Sequence, residues 1–309
     1  MIIINALPGA ISQGLVWGIM ALGLFLSYKI LDFADLTVDG SICTGAAVSA
    51  VLITNGVHWG IALVVALLAG MLCGTVTGLL HTAMGIPAIL SGILTQLALW
   101  SINLKIIGKA NMSVSAHNYD LLISGTNNGK TILVMLGVTA VLVGVLYWFF
   151  GTQVGCSIRA TGCNVDMAKA QGINTNATKI LALAISNGLV ALSGGLLCQY
   201  QGFADINMGR GAIIIGLAAV IIGGAIVSKL SSNFAVQMCG VVVGSIVYYL
   251  VYQVVICLGL DTDLLKLLSA VVVAIFLSIP HFKNKFRRRK PNRTSANTHT
   301  DISEGNNHA

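Results

Sequence analysis

The sequence predicts an all-α polytopic membrane protein with about nine membrane segments, arranged as an inverted-topology repeat (four, one and four segments) with broken helices. Hydrophobic residues make up 56% of the 309 residues and charged residues only 9%, and the mean hydropathy is +0.88. A soluble domain of this composition would expose a large apolar surface. Short motifs also recur at a fixed distance in the two halves of the chain, which predicts a repeat.

Nearly the whole chain up to Pro280 divides into apolar segments of the length that crosses a bilayer core, roughly 20 residues each. The first segment has no Lys or Arg before Lys29, so it lacks the basic start of a secretory signal and is expected to remain as a span. The nine predicted segments are residues 7–28, 37–54, 59–81, 86–107, 131–150, 180–198, 212–228, 234–257 and 262–280.

Two basic segments predict the orientation. The polar segment 151–179 contains Arg159, Lys169 and Lys179, and residues 281–309 contain seven Lys or Arg against two acidic residues. Basic segments favour the cytoplasm, and the four intervening spans place both on one side. We therefore expect an external N-terminus and a cytoplasmic C-terminus. The segment 281–309 is expected to be a disordered tail near anionic lipid, and nucleic-acid binding is not expected.

The repeat appears at an offset of about 170 residues. The motif Phe-Ala-Asp at 33–35 returns at 203–205, and Gly70 and Gly74 return as Gly240 and Gly244. Five predicted spans separate the two motif copies, so the copies lie on opposite sides of the membrane, which indicates an inverted repeat. The halves 7–107 and 180–280 then flank a linking span within one transmembrane domain, residues 1–280.

Each Phe-Ala-Asp copy precedes a segment of small residues, 40–50 and 209–219, that we interpret as a broken or half-length helix. Irregular backbone persists in lipid only where protein or a water-lined cavity satisfies it, so paired breaks indicate a substrate path. Asp35 and Asp205 are expected to cap helices. For the polar side chains, hydrogen bonding between helices is an open alternative. The candidate path residues are Gly40, Ser41, Ser91, Thr95, Gln96, Asn187, Gly209 and Gly211, with Asn103 on the same span as Gln96.

No motif predicts catalysis, a resident cofactor or a metal site. The stretch GTNNGKT at 125–131 lacks the first glycine of a phosphate loop, since Ser124 occupies that position. Cys156 and Cys163 share one segment without a histidine nearby, which gives no zinc spacing. Acidic residues are nearly absent from the apolar parts of the spans, which disfavours coupling to protons.

The polar segment 151–179 is interpreted as a cytoplasmic loop containing one short helix, 165–171. Asn164 is a good N-cap, Asp166 lies in the first turn, and Gly172 suits a left-handed C-cap. A helix of two turns needs support, either from the membrane domain behind it or from a partner protein in front of it. We expect it to serve in docking. The candidate contact residues are Arg159, Gly162, Asn164, Val165, Asp166, Met167, Ala168, Lys169, Gln171 and Gly172.

The pattern GCSIRATGCN, followed by Ala168 and Gly-Ile-Asn at 172–174, resembles the coupling-helix loop of ABC importer permeases in the branched-chain amino acid and ribose permease family. Cys163 and Val165 depart from that pattern, in which Glu and Pro are common. The resemblance implies a permease that is not itself an enzyme, in the bacterial plasma (inner) membrane. It also implies a second permease copy as a homodimer, an ATP-binding subunit that holds ATP and Mg, and an extracytoplasmic solute-binding protein.

Residues 30–51 are similar to the subgroup whose binding proteins are proposed to carry tryptophan or tyrosine, which implies an amino acid as the substrate. Two other functions account for the composition. A secondary transporter driven by an ion gradient explains the repeat but needs no docking helix. A membrane scaffold without transport gives no reason for the broken segments at matched positions.

Overall fold

The computed structural model describes residues 2–115, 119–125, 128–227 and 233–257, with Val271 and Ala274. Within these residues, six helices are long and apolar enough to cross a membrane, and two shorter apolar helices accompany them. The elements are α1 (Ile2–Leu24, continuing as a π-helix, Phe25–Ile30), α2 (Val38–Thr54), α3 (Trp59–Thr82), α4 (Ala88–Ile107), β1 (Asn111–Ser113), α5 (Asn128–Gly151), α6 (Gln153–Cys163), α7 (Val165–Ala170), α8 (Thr175–Gln201), β2 (Phe203–Asp205), α9 (Ala212–Val227) and α10 (Phe234–Cys257).

Eight of the predicted membrane segments coincide with a helix of this structure. The two helices that follow the Phe-Ala-Asp motifs, α2 and α9, have only 17 and 16 residues, too few to span a bilayer core with ease. The ninth predicted segment, 262–280, lies outside the described residues apart from Val271 and Ala274. The number of nine segments therefore stays a prediction.

The helix α8 is the centre of the bundle and is buried along most of its length. The helix α3 packs on α8 through small residues: a side-chain carbon at Gly74 would overlap the carbonyl oxygen of Leu183, and one at Gly70 would overlap that of Asn187. A second pair, α1 on α10, meets closely where Gly14 faces Ile246. Small residues let helix backbones touch in this way, and dispersion contacts then stabilise the pair.

The outer faces of α4 and α5 are apolar and exposed. Ile89 is 55% exposed, Leu133 76% and Trp148 72%. A soluble protein would not present such surfaces. These faces therefore suit lipid or another membrane-embedded chain.

The segment predicted as a loop with one helix contains two helices, so the prediction for residues 151–163 was wrong. The helix α6 begins after Thr152, whose Oγ1 accepts the backbone N–H of Gly155 at 3.4 Å. Its buried residues are Gly155, Ile158 and Thr161, every third position along one face. Only one of the three is a large apolar residue, which is why no apolar stripe was visible in the sequence.

The two Phe-Ala-Asp copies lie at opposite ends of the bundle. The first follows the π-helix, and the ring of Phe33 packs edge-on against His81 at the end of α3. The second forms β2, which pairs antiparallel with β1, with Ser113 opposite Phe203. One copy therefore sits beside α6 and α7, and the other beside the connection from α4 to α5.

Candidate functional site

The N-terminal ends of the two short helices meet at Asp39. This residue lies in the first turn of α2, and its carboxylate accepts the backbone N–H groups of Gly211 at 3.0 Å and Ile213 at 2.9 Å. A carboxylate at a helix N-terminus is stabilised by the free N–H groups and by the helix dipole. Asp39 therefore connects the start of α2, in the first half of the chain, to the start of α9, in the second half.

A cavity of about 340 Å³ opens beside this junction. Its walls come from α2, from α4 and from the turn that precedes α9, and they carry both charge signs. A volume of this size is at the small end of the range for ligand pockets. The lining residues are Asp39, Gly40, Cys43, Gln96, Leu97, Trp100, Asn103, Ile206 and Arg210.

Of the predicted path residues, Gly40, Gln96 and Asn103 line this cavity. Gly209 and Gly211 lie in the turn before α9. A side chain at Gly209 would overlap the carbonyl oxygen of Asp39, so the close approach of the two short helices requires glycine there. Gly211 donates its N–H to Asp39 and has a φ of +86°, a left-handed conformation that favours glycine.

The other predicted path residues do not line the cavity. Ser41 Oγ donates to Asn187 Oδ1 at 2.6 Å, which joins α2 to α8. Ser91 Oγ donates to the carbonyl of Ala88. Thr95 Oγ1 accepts from Thr77 Oγ1 at 3.0 Å, which joins α4 to α3. The contacts of Ser41, Asn187 and Thr95 are the interhelical alternative, whereas that of Ser91 lies within α4. A path role for these four residues stays a prediction.

The prediction that Asp35 and Asp205 cap helices was wrong. Asp35 Oδ1 accepts the N–H of Thr37 at 2.9 Å, and Asp205 Oδ1 accepts that of Asn207 at 2.6 Å. Each carboxylate thus closes a turn two residues further on, before its helix begins. Asp35 is also buried, and its Oδ2 accepts from Asn187 Nδ2 at 2.6 Å.

Several lining residues were not predicted from the sequence, notably Asp39, Trp100 and Arg210. The bond from Asp39 to α9 joins positions more than 170 apart, so no local pattern could reveal it. Two signals were available. Trp100 lies four residues after Gln96 on the same face of α4, and Arg210 is the only basic residue between Lys179 and Lys229.

The end of the bundle opposite β1 and β2 presents α7. Asn164 Oδ1 accepts the N–H of Met167 at 3.0 Å, as expected of an N-cap, and Gly172 follows the helix with a φ of +79°. The helix ends at Ala170, one residue earlier than predicted. Its buried residue is Ala168, whereas Met167 is 61% exposed. The charged neighbours Asp166 and Lys169 and the polar Gln171 are exposed, and Val165 is half-buried.

Arg159 and Gly162, which were predicted to contact a partner, make contacts with other residues of this chain. Arg159 Nη2 donates to the carbonyl of Phe150 at 2.9 Å, and the guanidinium lies 5.8 Å from the ring centroid of Phe234. Gly162 packs on the carbonyl of Ile30, where a side-chain carbon would overlap the oxygen. These contacts hold α6 against the ends of α1, α5 and α10. In the described part of the chain, no group of three or more His, Cys, Asp or Glu is placed to hold a metal ion.

Residues 7–277 match the model of a family described as the permease component of the branched-chain amino acid transport system. The chain is 38% identical to the tyrosine transport system permease protein of Clostridioides difficile, over 89% of this chain and 91% of that protein. It is 35% identical to an uncharacterized protein of Rickettsia prowazekii, over 89% and 97%. It is 25% identical to the fructose import permease protein FruF of Bifidobacterium longum, over 78% and 68%.

Among solved structures, PsaBC from Streptococcus pneumoniae in complex with Fab aligns with a TM-score of 0.49 and 15% identity, over 88% of this chain and 89% of that one. The family match and the relatives confirm the resemblance seen in the segment 151–179. A permease of this kind is not itself an enzyme, because ATP is hydrolysed by a separate subunit. The chain therefore belongs to the family of permease components of branched-chain amino acid transport systems, which are ABC importers.

Proposed function

We propose that this chain forms the membrane path of an ATP-driven importer for an amino acid, with tyrosine or a similar aromatic amino acid as the substrate. The tyrosine permease relative aligns with nearly its whole length, which supports this substrate class. The path follows the two short helices α2 and α9 and the cavity between them. ATP and Mg bind to a separate ATPase, and an extracytoplasmic binding protein delivers the substrate from outside.

The observation that carries this proposal is the exposed helix α7. It is capped by Asn164 and packs on the bundle through the buried Ala168, and its Met167 side chain is exposed on the protein surface. An exposed methionine between charged residues suits a protein contact, since Met adapts its shape to a partner surface. In the proposal, the ATP-binding subunit covers Met167, Asp166 and Lys169, while Arg159 and Gly162 transmit the movement inward.

A route from α7 to the cavity runs through residues in direct contact. The helix α6 touches Ile30 at Gly162, and Ile30 is the last residue of the π-helix. The turn that follows leads into α2, where Asp39 binds α9. A movement of α6 can therefore be transmitted to both short helices through residues that are in contact or adjacent in the chain.

The proposal includes an inverted repeat of the halves 7–107 and 180–280 within one permease domain, residues 1–280. Three features support it. The pairing of α3 with α8 parallels that of α10 with α1, α2 and α9 are both short, and the turns at Asp35 and Asp205 are closed in the same way. Two such halves can face each side of the membrane in turn.

The proposed orientation places α6 and α7 in the cytoplasm of a bacterial cell, with the N-terminus outside the plasma membrane. Lys29, Arg159 and Lys179 lie at the same end of the bundle as these helices, which supports this orientation by the excess of basic residues on the inside. A second copy completes the path as a homodimer. The tail 281–309, outside the described residues, is proposed to contact anionic lipid.

The first test is purification of the tagged chain from its native membrane under mild conditions, followed by identification of co-purifying subunits by mass spectrometry. We expect an ATP-binding subunit in near-stoichiometric amount and two permease copies in the intact mass. A chain that purifies alone, even after cross-linking, contradicts the proposal. Met167→Asp should lower ATPase recovery at least tenfold, because a carboxylate would be buried in the interface. Cys163→Ser, a substitution at another exposed position, is the control.

The second test separates coupling from assembly. Gly162→Ala should keep the ATPase bound but reduce substrate uptake per ATP hydrolysed, because its added carbon forces α6 away from Ile30. Gly151→Ala is the matched control, since no atom lies within 4 Å of its added carbon. Equal uptake per ATP in both variants would refute the route through Ile30.

A further inference from the structure

The cavity beside Asp39 brings together a carboxylate, a guanidinium, an indole ring and an unpaired amide oxygen. We propose that it is a recognition site that holds one aromatic amino acid by its ammonium group, its carboxylate and its ring. This inference rests on the proposed function, in which the chain carries amino acids. It goes further by naming the residue that binds each part of the substrate.

The amide oxygen belongs to Asn103. This residue is 1% exposed, yet within the described residues its Oδ1 has no hydrogen-bond partner. Its Nδ2 donates to the carbonyl of Gly40 at 3.5 Å. A buried acceptor without a donor is unusual in a folded protein, and here its residue lines a cavity. A ligand N–H would satisfy it.

The ammonium group of an amino acid fits this position. An ammonium has three N–H donors and a positive charge, and the Asp39 carboxylate lines the same cavity. Asn103 contacts the carbonyl of Gly40, and Asp39 precedes Gly40 in the chain. The negative charge of Asp39 therefore lies on the same cavity wall as this carbonyl. We therefore assign the ammonium to a position where it donates a hydrogen bond to Asn103 Oδ1 and is attracted by the negative charge of Asp39.

The carboxylate of the ligand is assigned to Arg210. This exposed side chain is the basic residue among those that line the cavity. A guanidinium binds a carboxylate through two parallel N–H donors. The backbone N–H groups of Gly211 and Ile213 are already bonded to Asp39, so the start of α9 does not compete for the ligand.

The side chain of the ligand is assigned to Trp100 and Leu97 on α4. Trp100 is 46% exposed in a cavity wall, where its ring face is available for an aromatic partner. The volume of about 340 Å³ fits one amino acid and is too small for a longer peptide. An indole that lines the same cavity as the two charges therefore favours an aromatic amino acid over an aliphatic one.

The test uses the full chain with its ATPase in lipid nanodiscs, without the binding protein, so that no other site contributes. Radiolabelled L-tyrosine is bound at equilibrium and displaced by tyramine, which lacks the carboxylate, or by 3-(4-hydroxyphenyl)propionate, which lacks the ammonium. Asn103→Leu should weaken tyrosine and tyramine binding about tenfold or more and leave the propionate unchanged. Arg210→Gln should weaken tyrosine and the propionate by a similar factor and leave tyramine unchanged.

Trp100→Ala should weaken all three ligands by a factor of about 2 to 10. Lys105→Gln, a charge removed outside the cavity on the same helix, should change none. If Asn103→Leu does not fold, Asn103→Asp keeps an acceptor: it should retain tyrosine and tyramine binding and weaken the propionate. Equal weakening of all three ligands by the Asn103 and Arg210 variants overturns the assignment.

The failure of this inference can be told apart from that of the proposed function. If the complete importer takes up tyrosine with ATP in proteoliposomes but the nanodisc complex binds none, the recognition site is refuted and the proposed function stands. If the complete importer takes up no amino acid, the proposed function itself is refuted. The inference is supported only when uptake, binding and the ligand-selective losses occur together.

Discussion

Replacement of Asp39 by asparagine tests the junction between the two short helices. In the wild type, each carboxylate oxygen accepts one backbone N–H, from Ile213 and from Gly211. An asparagine of the same shape offers one acceptor oxygen and one NH₂ group. One N–H of α9 therefore loses its acceptor and faces another donor.

The expected cost follows from these two bonds. A hydrogen bond to a charged acceptor contributes roughly 1.5 to 3 kcal/mol, and the charge at the start of α9 adds about 0.3 to 1 kcal/mol through the helix dipole. The loss of one bond and of the charge should lower the free energy of unfolding by about 2 to 4 kcal/mol. For a chain of this size, this corresponds to a drop in melting temperature on the order of 5 °C or more.

The assay is thermal unfolding of the purified permease in detergent, with Asp32→Asn as the matched control. Asp32 is exposed and has a φ of 54°, a left-handed conformation that asparagine adopts readily. The control should therefore unfold at the wild-type temperature. If both variants unfold together with the wild type, Asp39 does not hold α9 to α2.

Two further predictions concern packing and orientation. Gly74→Ala should lower the free energy of unfolding by about 1 to 3 kcal/mol in a denaturant titration, because its added carbon overlaps the carbonyl of Leu183; Gly137→Ala, which meets open space, should be tolerated, and equal stabilities would refute the close α3–α8 contact. A membrane-impermeant maleimide should label the exposed thiols of Cys156 and Cys163 in inside-out vesicles and not in right-side-out ones; the reverse pattern, read by mass spectrometry, would refute the proposed orientation.

The membrane helices could be predicted from the sequence because their signal is local. The helix α10 has the predicted bounds, Phe234–Cys257, since a continuous apolar stretch is sufficient to define it. The helix α7 was predicted nearly as well, because Asn164 and Gly172 mark its ends with side-chain and backbone chemistry.

The candidate site was predicted only in part. Gly40, Gln96 and Asn103 were expected in the path and line the cavity, but the role of Asp39 was missed. Its acidic side chain lies near the end of a predicted span, where a solvated carboxylate is the simplest expectation. The backbone N–H groups that bind it belong to a helix more than 170 residues away. Contacts between residues this far apart in the chain depend on how the two halves pack, and a local sequence pattern does not reveal that packing.

The threonine contact between α3 and α4 has a direction. Thr95 Oγ1 gives its proton to the carbonyl of Ser91, so it accepts the proton of Thr77. Thr77 shares its one proton between Thr95 Oγ1 at 3.0 Å and the carbonyl of Cys73 at 3.2 Å, so Thr37 is the donor in their 2.8 Å contact. The three hydroxyls form a polarised chain in which each bond strengthens the next. These hydrogen bonds connect the turn before α2 to α3 and α4, and the three hydroxyl dipoles point the same way. The arrangement requires the single proton of each hydroxyl.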